Sequence, residues 1–276
     1  MNISIFTVIK DELDYLDDFL KYHTQMGIDI FVFEDVFSHS HLSITEKYDN
    51  VYLHSIMELY SEEEIDELIR KREEKIPCQT EFINKGLKYI HSLNKYQWCA
   101  LIDIDEFITC TEKFPDILDR YKEHQAVLLY WQNYGCSGHI YKPDDNRPPY
   151  DIYTEKCGYE KFSDLKYFKI TKFIVNMNKY KPTMKFWIHC ANVDFIKADM
   201  TYKRTAICLE PLYLRHYITR SWEEFCYKIL CRGCFHTGHR QYRSFFEMQP
   251  DMEEKIRNDK GFKDYFYKKY GVMPDY

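Results

Sequence analysis

Three acidic side chains lie within four positions of one another, directly after an apolar run. The run is Trp98–Ile102 and the acids are Asp103, Asp105 and Glu106. A continuous apolar run of this length predicts a strand buried on both faces, as at the centre of an α/β sheet. Carboxylates at its carboxyl end lie where open α/β sheets bind their ligands. Since residues two apart on a regular strand point the same way, Asp103 and Asp105 are expected to converge.

Two converging carboxylates are the hard oxygen ligands that Mg²⁺ and Mn²⁺ prefer. An ion held in this way keeps open coordination positions for the phosphates of a nucleotide. The competing interpretation is a solvated strand end without an ion. The stretch 98–107 by itself does not separate the two.

The elements that precede this stretch place a further acid at the same edge. Ile3–Ile9 is predicted as a first strand, residues 14–26 as a helix with one buried face, and Ile28–Phe33 as a second strand. This β-α-β unit implies a parallel pair of strands with a right-handed crossover. Asp35 therefore lies at the carboxyl end of a strand, on the same edge as the acids after residue 102.

The rest of the chain continues as strands separated by helices, which predicts an α/β fold class. We expect a domain over residues 1–235 with a mostly parallel, Rossmann-like sheet flanked by helices, and a helical C-terminal appendage over 236–276 packed on it. Capping boxes begin at Ser61 and Ser221. The further predicted strands are 51–56, 126–131, 168–175, 185–193 and 212–217, and the further predicted helices are 61–75, 80–93, 114–121, 221–230 and the tail from 244.

Composition and charge argue against several classes of protein. A net charge of −6 argues against a general nucleic-acid binder, which needs an excess of Lys and Arg. No apolar run approaches about 18 residues, so no transmembrane helix is expected. The first ten residues lack the basic and small-residue features of a signal peptide. Ten cysteines without regular spacing predict reduced thiols in a cytoplasmic protein.

A series of short motifs occurs in a fixed order over most of the chain. Each motif alone is a weak signal, because Asp-x-Asp pairs are common by chance, but the order is specific. The motifs are Ile9-Lys-Asp-Glu12 with Leu16 and Tyr22-His23, the stretch Gly27–Asp35, the Asp-x-Asp stretch Trp98–Phe107, the glycine loop Trp131–His139, Lys172–Val175, Leu214–Tyr217 followed by Ser221–Phe225, and Arg232-Gly233.

In this order the motifs resemble the nucleotide-sugar glycosyltransferases of the GT-A fold, and they are most similar to the family 2-like and family 92 (DUF23-type) group. The resemblance implies an inverting, metal-dependent transfer of a sugar from a UDP-sugar donor to a hydroxyl of a glycan or lipid-linked glycan acceptor, with Mn²⁺ or Mg²⁺ as cofactor. Such an enzyme is expected to work in surface polysaccharide or lipopolysaccharide synthesis, in the cytoplasm or at the inner face of the membrane.

The resemblance also assigns residues to the donor site. The end of the first strand and the acid after the second strand hold the nucleoside, the Asp-x-Asp pair holds the ion that bridges the diphosphate, and a late histidine adds to the metal. Lys172 or Arg215 adds positive charge beside the diphosphate. The expected nucleotide-sugar-binding residues are Thr7, Glu12, Asp35, Asp103, Lys172 and Arg215, and the expected metal ligands are Asp103, Asp105 and His216.

The chain departs from the family pattern at two places. Lys10-Asp-Glu12 stands where an Asn often precedes the Glu, and Glu34-Asp-Val36 stands where Asp-Asn or Asp-Asp-Gly-Ser is frequent. The predicted nucleoside contacts therefore have less support from the pattern than the predicted metal site.

An inverting transfer needs a group that takes the acceptor's proton on the face opposite the leaving group, which is worth roughly 10²–10⁴-fold in rate. The candidate catalytic residues are Glu155, Asp151 and His139, which follow or close the glycine loop. We favour Glu155, because it follows the loop at a spacing where the resembling families often carry an acid.

Two other functions are kept as alternatives. A nucleotidyltransferase-type phosphotransfer enzyme also uses paired aspartates at strand ends. It would need a glycine-rich phosphate loop after the first strand, and Thr7–Glu12 contains no glycine. A non-catalytic glycan-binding protein of the same fold would not need to retain Asp103 and Asp105.

Two local clusters have interpretations of their own. Cys231, Cys234, His236 and His239 lie within nine residues and can ligate zinc, although the spacing is tighter than in common zinc fingers. The aromatic and lysine-rich segment 262–270 is either an amphipathic membrane contact or a solvated helix that packs through its aromatic side. Tyrosine suits such half-wet surfaces, and also sugar platforms, because it has an apolar ring and a polar tip.

Overall fold

The computed structural model describes residues 1–74, 76–144, 146–156, 171–189, 191–197, 209–232 and 239–276, and for 195–197 and 239–241 it describes the backbone alone. The chain divides into two compact units. The first contains Met1–Gln132 and the described residues from 171 to Arg215, and the second contains 133–156 and the described residues from His216 to Tyr276.

The strands of the described residues belong to one sheet. They are β1 (Ile3–Ile9), β2 (Asp29–Glu34), β3 (Val51–Ser55), β4 (Trp98–Leu101), β5 (Glu106–Cys110), β6 (Ala126–Asn133), β7 (Thr171–Asn176), β8 (Phe195–Lys197) and β9 (Leu212–His216). Their order is β3-β2-β1-β4-β7-β6-β9-β5, with β8 paired to β6. Of the six pairings with a described register, four are parallel, and β7 is antiparallel to β4 and β6. The predicted α/β fold class is confirmed.

Helices flank the sheet and continue to the C-terminal region. The capping boxes predicted at Ser61 and Ser221 are confirmed, because in each the third helical residue, a glutamate, accepts from the backbone N–H of the serine. No helix within the described ranges is long and apolar enough to cross a bilayer. The helices are α1 (Leu13–Thr24), α2 (Leu42–Thr45), α3 (Glu62–Glu73), α4 (Gln79–Ser92), α5 (Phe114–Asp119), α6 (Pro149–Ile152), α7 (Trp222–Leu230), α8 (His239–Met248), α9 (Pro250–Asn258) and α10 (Phe262–Tyr270), with a 3-10 turn at Ile56–Leu59.

Helix α4 approaches β1 closely because one of its residues is glycine. A Cβ at Gly86 would lie 2.1 Å from Cε2 of Phe6, far inside van der Waals contact. Phe6 in turn packs on Phe33 of β2, with ring centroids 5.1 Å apart, and both side chains are buried. This packing holds α4 against β1 and β2, the strands whose carboxyl ends carry the predicted nucleoside site.

The strand predicted over 185–193 is wrong for the described part of that segment, where an isolated bridge at Phe186 is the only pairing. Side chains take the place of a partner strand. Asn84 of α4 accepts from the N–H of Phe186 at 3.0 Å and donates to its carbonyl at 2.7 Å. Asn192 accepts from the N–H of Lys185 at 2.6 Å. Because these backbone groups are already satisfied, the segment has less need of a ladder of strand hydrogen bonds.

The second unit has its own apolar core, centred on Trp222 of α7. The Trp222 ring is fully buried and its centroid lies 4.7 Å from that of Phe245 and 5.2 Å from that of Phe246, both on α8. Phe262 and Phe266 of α10 are also fully buried. The predicted C-terminal helices are therefore present, and α10 packs through its aromatic side. The domain boundary at 235/236 stays a prediction.

A buried carboxylate ties α10 to α7. Glu223 is fully buried and accepts hydrogen bonds from the backbone N–H of Lys142 at 2.8 Å, from the hydroxyls of Tyr265 and Tyr270 at 3.1 and 2.7 Å, and from Nζ of Lys269 at 2.8 Å. Burial acts to raise the pKa of Glu223. The hydrogen bonds, above all that from Lys269, outweigh burial and hold the pKa below its ordinary value.

Glu223→Gln is expected to lower the free energy of unfolding by about 1–3 kcal/mol near neutral pH, because buried donors lose their charged acceptor. The folded-state pKa is depressed, so the carboxylate stabilises the fold above its unfolded pKa of about 4.3, and this stability is lost as pH falls through the folded pKa. Thermal melts of both proteins from about pH 7 to about pH 3 measure the difference. The control Glu67→Gln, at an exposed pair with Arg70, should change stability by less than about 1 kcal/mol. A wild-type advantage that is constant with pH would contradict the assignment.

Candidate active site

The predicted metal-binding acids lie in a turn, and the expectation that they continue a regular strand is wrong. Strand β4 ends at Leu101. The N–H of Glu106 donates to the carbonyl of Asp103 at 3.0 Å, and the N–H of Asp103 donates to Oε2 of Glu106 at 2.8 Å. The chain reverses here and continues as β5. Strand alternation therefore does not relate Asp103 to Asp105, and the turn sets their positions.

The turn exposes one carboxylate and buries two. The Asp103 side chain is 51% exposed, whereas Asp105 is 8% exposed and Glu106 is fully buried. Strand β7 brings a lysine to them, because Phe173 is in register with Leu101 and the residue before it, Lys172, lies next to the turn. Nζ of Lys172 is 2.7 Å from Oδ2 of Asp103 and 3.8 Å from Oε1 of Glu106.

The charges of this cluster are strongly coupled. Burial raises the pKa of Glu106 well above its ordinary range, and the nearby Asp103 and Asp105 raise it further against the opposing charge of Lys172. Burial acts to lower the pKa of Lys172, but Asp103 and Glu106 outweigh it and the pKa is raised. Lys172 is therefore a permanent cation, held between Asp103 and Glu106.

The donor set of the turn suits a hard divalent ion that arrives with phosphate. Across the ranges given above, no three His, Cys, Asp or Glu side chains are grouped as a complete metal cage. Mg²⁺ and Mn²⁺ sites at nucleotides often use one or two carboxylates and complete their shell with phosphate oxygens and water. Asp103 and Asp105 are carboxylates of the kind that such a site uses. Cys234 and His236 of the predicted zinc cluster, and the side chain of His239, lie outside the described residues.

The remaining predicted residues, Arg215 and His216, belong to β9. His216 is buried, and its Nδ1 lies 2.9 Å from Oδ1 of Asn133. Since an amide oxygen only accepts, Nδ1 carries the proton of this hydrogen bond. Arg215 lies close enough to Tyr22 of α1 for its charge to oppose the rise that burial causes in the pKa of Tyr22. Both assignments stay predictions.

His189 also lies close to Lys172. Its Nδ1 is 3.3 Å from the carbonyl of Thr171, and its ring packs edge-on against Trp131 with centroids 5.3 Å apart. Burial, together with the charge of Lys172, lowers the pKa of His189 to about 4. The ring is therefore neutral at physiological pH and adds no charge to the cluster.

The predicted nucleoside residues lie at the carboxyl ends of β1 and β2. Thr7 is buried, and its hydroxyl has no hydrogen-bond partner among the described groups. Asp35 is buried and paired with Arg72 of α3, whose Nε lies 3.2 Å from Oδ1 and whose second nitrogen bonds Oδ2. Such a bidentate pair fixes the carboxylate in one orientation. A nucleoside contact by Asp35 would share the carboxylate with Arg72.

A histidine that is not among the predicted site residues joins the segments that follow β1 and β2. His41 is fully buried; its Nδ1 lies 2.9 Å from Oε1 of Glu34, and its Nε2 accepts from the N–H of Glu12 at 3.2 Å. The ring is therefore the neutral Nδ1–H tautomer. The sequence feature that could have indicated a role for His41 is the Ser-His-Ser-His stretch at residues 38–41, which follows the acids at the end of β2.

The three predicted catalytic residues lie in the second unit, around the glycine loop. The carbonyl of Glu155 accepts from the N–H of Gly135 at 2.8 Å, and the N–H of Glu155 donates to Oγ of Ser137 at 3.0 Å. The side chains of Glu155 and Asp151 are exposed, and His139 is half-buried. The structure thus fixes the backbone of Glu155 on the glycine loop and leaves its carboxylate in solvent.

Several solved structures are similar to the chain at low identity. A197 from STIV is 12% identical, with a TM-score of 0.36 over 79% of this chain and 86% of A197. HddC from Yersinia pseudotuberculosis is 10% identical, with a TM-score of 0.36 over 71% of this chain and 89% of HddC. The mannosyltransferase Ktr4p from S. cerevisiae is 12% identical, with a TM-score of 0.29 over 64% of this chain and 56% of Ktr4p. At these TM-scores, similarity supports no conclusion about function.

The family assignment comes from the sequence itself. No curated protein matches the chain significantly. The sequence model of glycosyltransferase family 92 matches residues 9–270. The matched range includes the Asp103–Glu106 turn, Lys172 and the glycine loop, and confirms the predicted similarity to this family. The chain is therefore a glycosyltransferase, and it belongs to glycosyltransferase family 92.

Proposed function

We propose that this glycosyltransferase moves a sugar from a UDP-sugar donor to a hydroxyl of a glycan or lipid-linked glycan, with Mn²⁺ or Mg²⁺ and with inversion at the anomeric carbon. The observation that carries the donor assignment is the Asp103–Glu106 turn. It presents an exposed carboxylate beside a buried lysine at the carboxyl end of a central parallel strand, where α/β sheets bind nucleotides.

The residues of the turn have distinct roles in this proposal. Asp103 and Asp105 hold the divalent ion, which when bound supplies Lewis-acid stabilisation of the departing diphosphate. Glu106 fixes the turn by accepting the N–H of Asp103. Lys172 remains charged at neutral pH and directs its ammonium group to Asp103. A cation fixed in a buried position needs no reorganisation when negative charge develops on the leaving group.

The nucleoside is proposed to lie at the carboxyl ends of β1 and β2, near Thr7, Glu12 and Asp35. The pairing of Asp35 with Arg72 and the bridge made by His41 support this, because they order both loops before a ligand arrives. Loops that are ordered in advance lose less conformational entropy on binding. His216, whose Nδ1 donates to Asn133, is proposed as a further metal ligand, and Arg215 as a further positive charge.

Glu155 is proposed as the base that takes the acceptor's proton. Glu155→Gln is expected to lower the rate of transfer by about 10²–10⁴-fold, because the amide keeps the shape of the side chain but does not accept the proton. The affinity for UDP should stay unchanged. Release of UDP in a transfer assay and calorimetry with UDP measure the two quantities. Asp151→Asn and His139→Gln are the matched variants of the other candidates. Near-normal turnover of Glu155→Gln would remove Glu155 from this role.

The donor and metal assignments are tested together by calorimetry. We expect UDP to bind in the presence of Mn²⁺ and to bind weakly or not at all without it. A panel of nucleotide sugars, followed by measurement of released UDP, then identifies the donor. UDP affinity that is the same with and without Mn²⁺ would overturn the metal assignment. Turnover restricted to another nucleotide would overturn the UDP assignment.

We propose surface polysaccharide or lipopolysaccharide synthesis as the setting, at the cytoplasmic face of the membrane. At this face of the membrane, a peripheral enzyme can reach an acceptor that is attached to a lipid. In helix α10, Phe262 and Phe266 are buried in the protein and do not face a membrane. Tyr267 is 53% exposed and is the side chain of α10 that we propose for a membrane contact. Flotation with anionic vesicles tests this contact.

A further inference from the structure

Two backbone groups of β5 have side chains of α1 as their partners. Ile108 belongs to β5, and its carbonyl accepts from the Tyr22 hydroxyl at 2.9 Å. Its N–H donates to Nε2 of His23 at 3.2 Å. The N–H and C=O of one strand residue point to the same edge of the strand. Two adjacent residues of α1 therefore bond both groups of Ile108, as a neighbouring strand would.

The histidine of this pair is fixed in one neutral form. His23 is fully buried, and its Nδ1 lies 2.9 Å from the carbonyl of Phe19, one turn earlier in α1. Because a carbonyl only accepts, Nδ1 carries the proton and Nε2 is left to accept from Ile108. Burial lowers the pKa of His23 to about 3, against the opposing effect of the Phe19 hydrogen bond. The ring therefore remains an acceptor for the N–H of Ile108 at physiological pH.

Aromatic contacts fix the residue before Ile108 as well. Phe107 is fully buried, and its ring centroid lies 5.2 Å from that of Tyr22 and 5.8 Å from that of His23. The Phe19 ring lies 6.1 Å away. These three residues share one face of α1, because the second and third follow Phe19 by three and four positions. This face of α1 therefore holds β5 by its backbone and by a side chain.

The register of β5 decides which side chain reaches the Asp103–Glu106 turn. Successive side chains of a strand point to opposite faces, so a slip by one residue would exchange the places of Glu106 and Phe107. In the observed register Glu106 is fully buried and accepts the N–H of Asp103 at 2.8 Å. Asp105 directly precedes β5, so its position depends on where the strand begins.

We propose that Tyr22 and His23 are positioning residues of the donor site, because they set the register of β5 and with it the places of Asp105 and Glu106 in the turn. This rests on the proposed function in one respect, which is that the turn holds the ion of the donor. The hold of α1 on β5 does not itself require a donor or an ion. The two steps are therefore measured separately.

The first measurement is hydrogen exchange of residues 103–110 in the full chain without metal, read by mass spectrometry. His23→Phe keeps an aromatic ring but removes the acceptor of a buried N–H, so exchange in this segment should be faster by about 10-fold. His23→Gln should restore the protection, because the glutamine oxygen accepts. Tyr22→Phe removes only the hydroxyl and tests the same hold if His23→Phe does not fold.

The second measurement is calorimetry with UDP over a series of Mn²⁺ concentrations. His23→Phe should raise the Mn²⁺ concentration that gives half-maximal UDP binding by about 10-fold, the usual effect of losing a group that orients metal ligands. His23→Gln should stay close to the wild type. A change in melting temperature alone would not alter this Mn²⁺ requirement.

Asn176→Leu is the matched control. The Asn176 amide donates to the carbonyls of Lys122 and His124 at 2.8 and 3.0 Å. Asn176 is in register with Trp98, at the end of β4 away from the turn. Because two carbonyls lose their donor, this variant should have a lower melting temperature. Its Mn²⁺ requirement should be that of the wild type.

The outcomes separate this proposal from the proposed function. Wild-type exchange in folded His23→Phe or Tyr22→Phe would overturn the proposal. Faster exchange without a change in the Mn²⁺ requirement, or an equal change in Asn176→Leu, would also overturn it, because the role would then be structural alone. Absence of metal-dependent UDP binding in the wild type would count against the proposed function, and the exchange measurement would then decide the hold on β5 by itself.

Discussion

Asp103→Asn is expected to abolish Mn²⁺-dependent binding of UDP and to lower the rate of sugar transfer by at least about 10²-fold. A divalent ion contributes several kcal/mol to stabilisation of a leaving diphosphate, and each 1.36 kcal/mol or so changes the rate about tenfold. The neutral amide keeps one oxygen but loses the charge that attracts the ion. Calorimetry with UDP and Mn²⁺, together with the rate of UDP release, measures both effects.

The exposure of Asp103 makes this variant informative. Its side chain is half exposed and its backbone, not its carboxylate, closes the turn with Glu106, so the turn should keep its shape although Lys172 loses the charge of its 2.7 Å partner. Asp119→Asn is the control, because Asp119 is an exposed aspartate of the same unit that pairs with Lys122 at 3.4 Å. If Asp103→Asn bound UDP and Mn²⁺ like the wild type, the turn would not be the metal site.

Lys172→Met is expected to lower the free energy of unfolding by about 3–5 kcal/mol, the usual cost of removing one partner of a buried ion pair. Methionine matches the length of the lysine stem, so the loss of the ammonium group is the main change. Glu106, fully buried, would lose its nearest positive charge, 3.8 Å away. Urea denaturation followed by circular dichroism measures the effect. UDP binding should weaken as well, because Asp103 loses its 2.7 Å partner.

A second substitution tests the cause of this instability. If an ionised Glu106 without its cation is responsible, Glu106→Gln in the Lys172→Met background should restore part of the stability, because glutamine at position 106 carries no charge. Lys179→Met is the matched control. Lys179 pairs with Glu123 at 3.1 Å on the surface, and its loss should cost less than about 1 kcal/mol. A double variant as unstable as Lys172→Met alone would show that packing, not charge, is the reason.

Elements defined by local pattern could be predicted from the sequence. The bounds of β1 agree with the prediction at both ends, because an apolar run between polar residues determines a buried strand. The helices that begin after Ser61 and Ser221 are also as predicted, because a capping box involves residues only three positions apart. Both signals are contained in fewer than ten consecutive residues.

The geometry of the acid cluster could not be predicted in the same way. The sequence shows three acids after an apolar run, and this pattern is the same whether the strand continues or the chain turns. Glu106 decides the outcome, because its carboxylate accepts the N–H of Asp103 and the chain reverses into β5. Whether the Glu106 carboxylate bonds to the backbone of its own turn depends on how deeply it is buried, and that burial comes from the rest of the sheet.

The sequence pattern also does not predict hydrogen-bond partners that lie far apart along the chain. Arg72 pairs with Asp35 across 37 positions, and His41 reaches back to Glu12 across 29. No periodicity connects such residues, since their meeting depends on how α3 and the loops pack on the sheet. The sequence therefore predicts the acids at the edge of the sheet but not the side chains that orient them.

The second unit is assembled from separate stretches of the chain, and this has a consequence for synthesis on the ribosome. Residues 133–156 emerge early, but the residues that complete their unit begin only at His216. The donors to Glu223 come later still, because Tyr265, Lys269 and Tyr270 belong to α10. A nascent chain that stops before α10 would retain an apolar, incompletely covered surface and an acid without its donors. Such truncated products are expected to be recognised by chaperones and proteases rather than to accumulate.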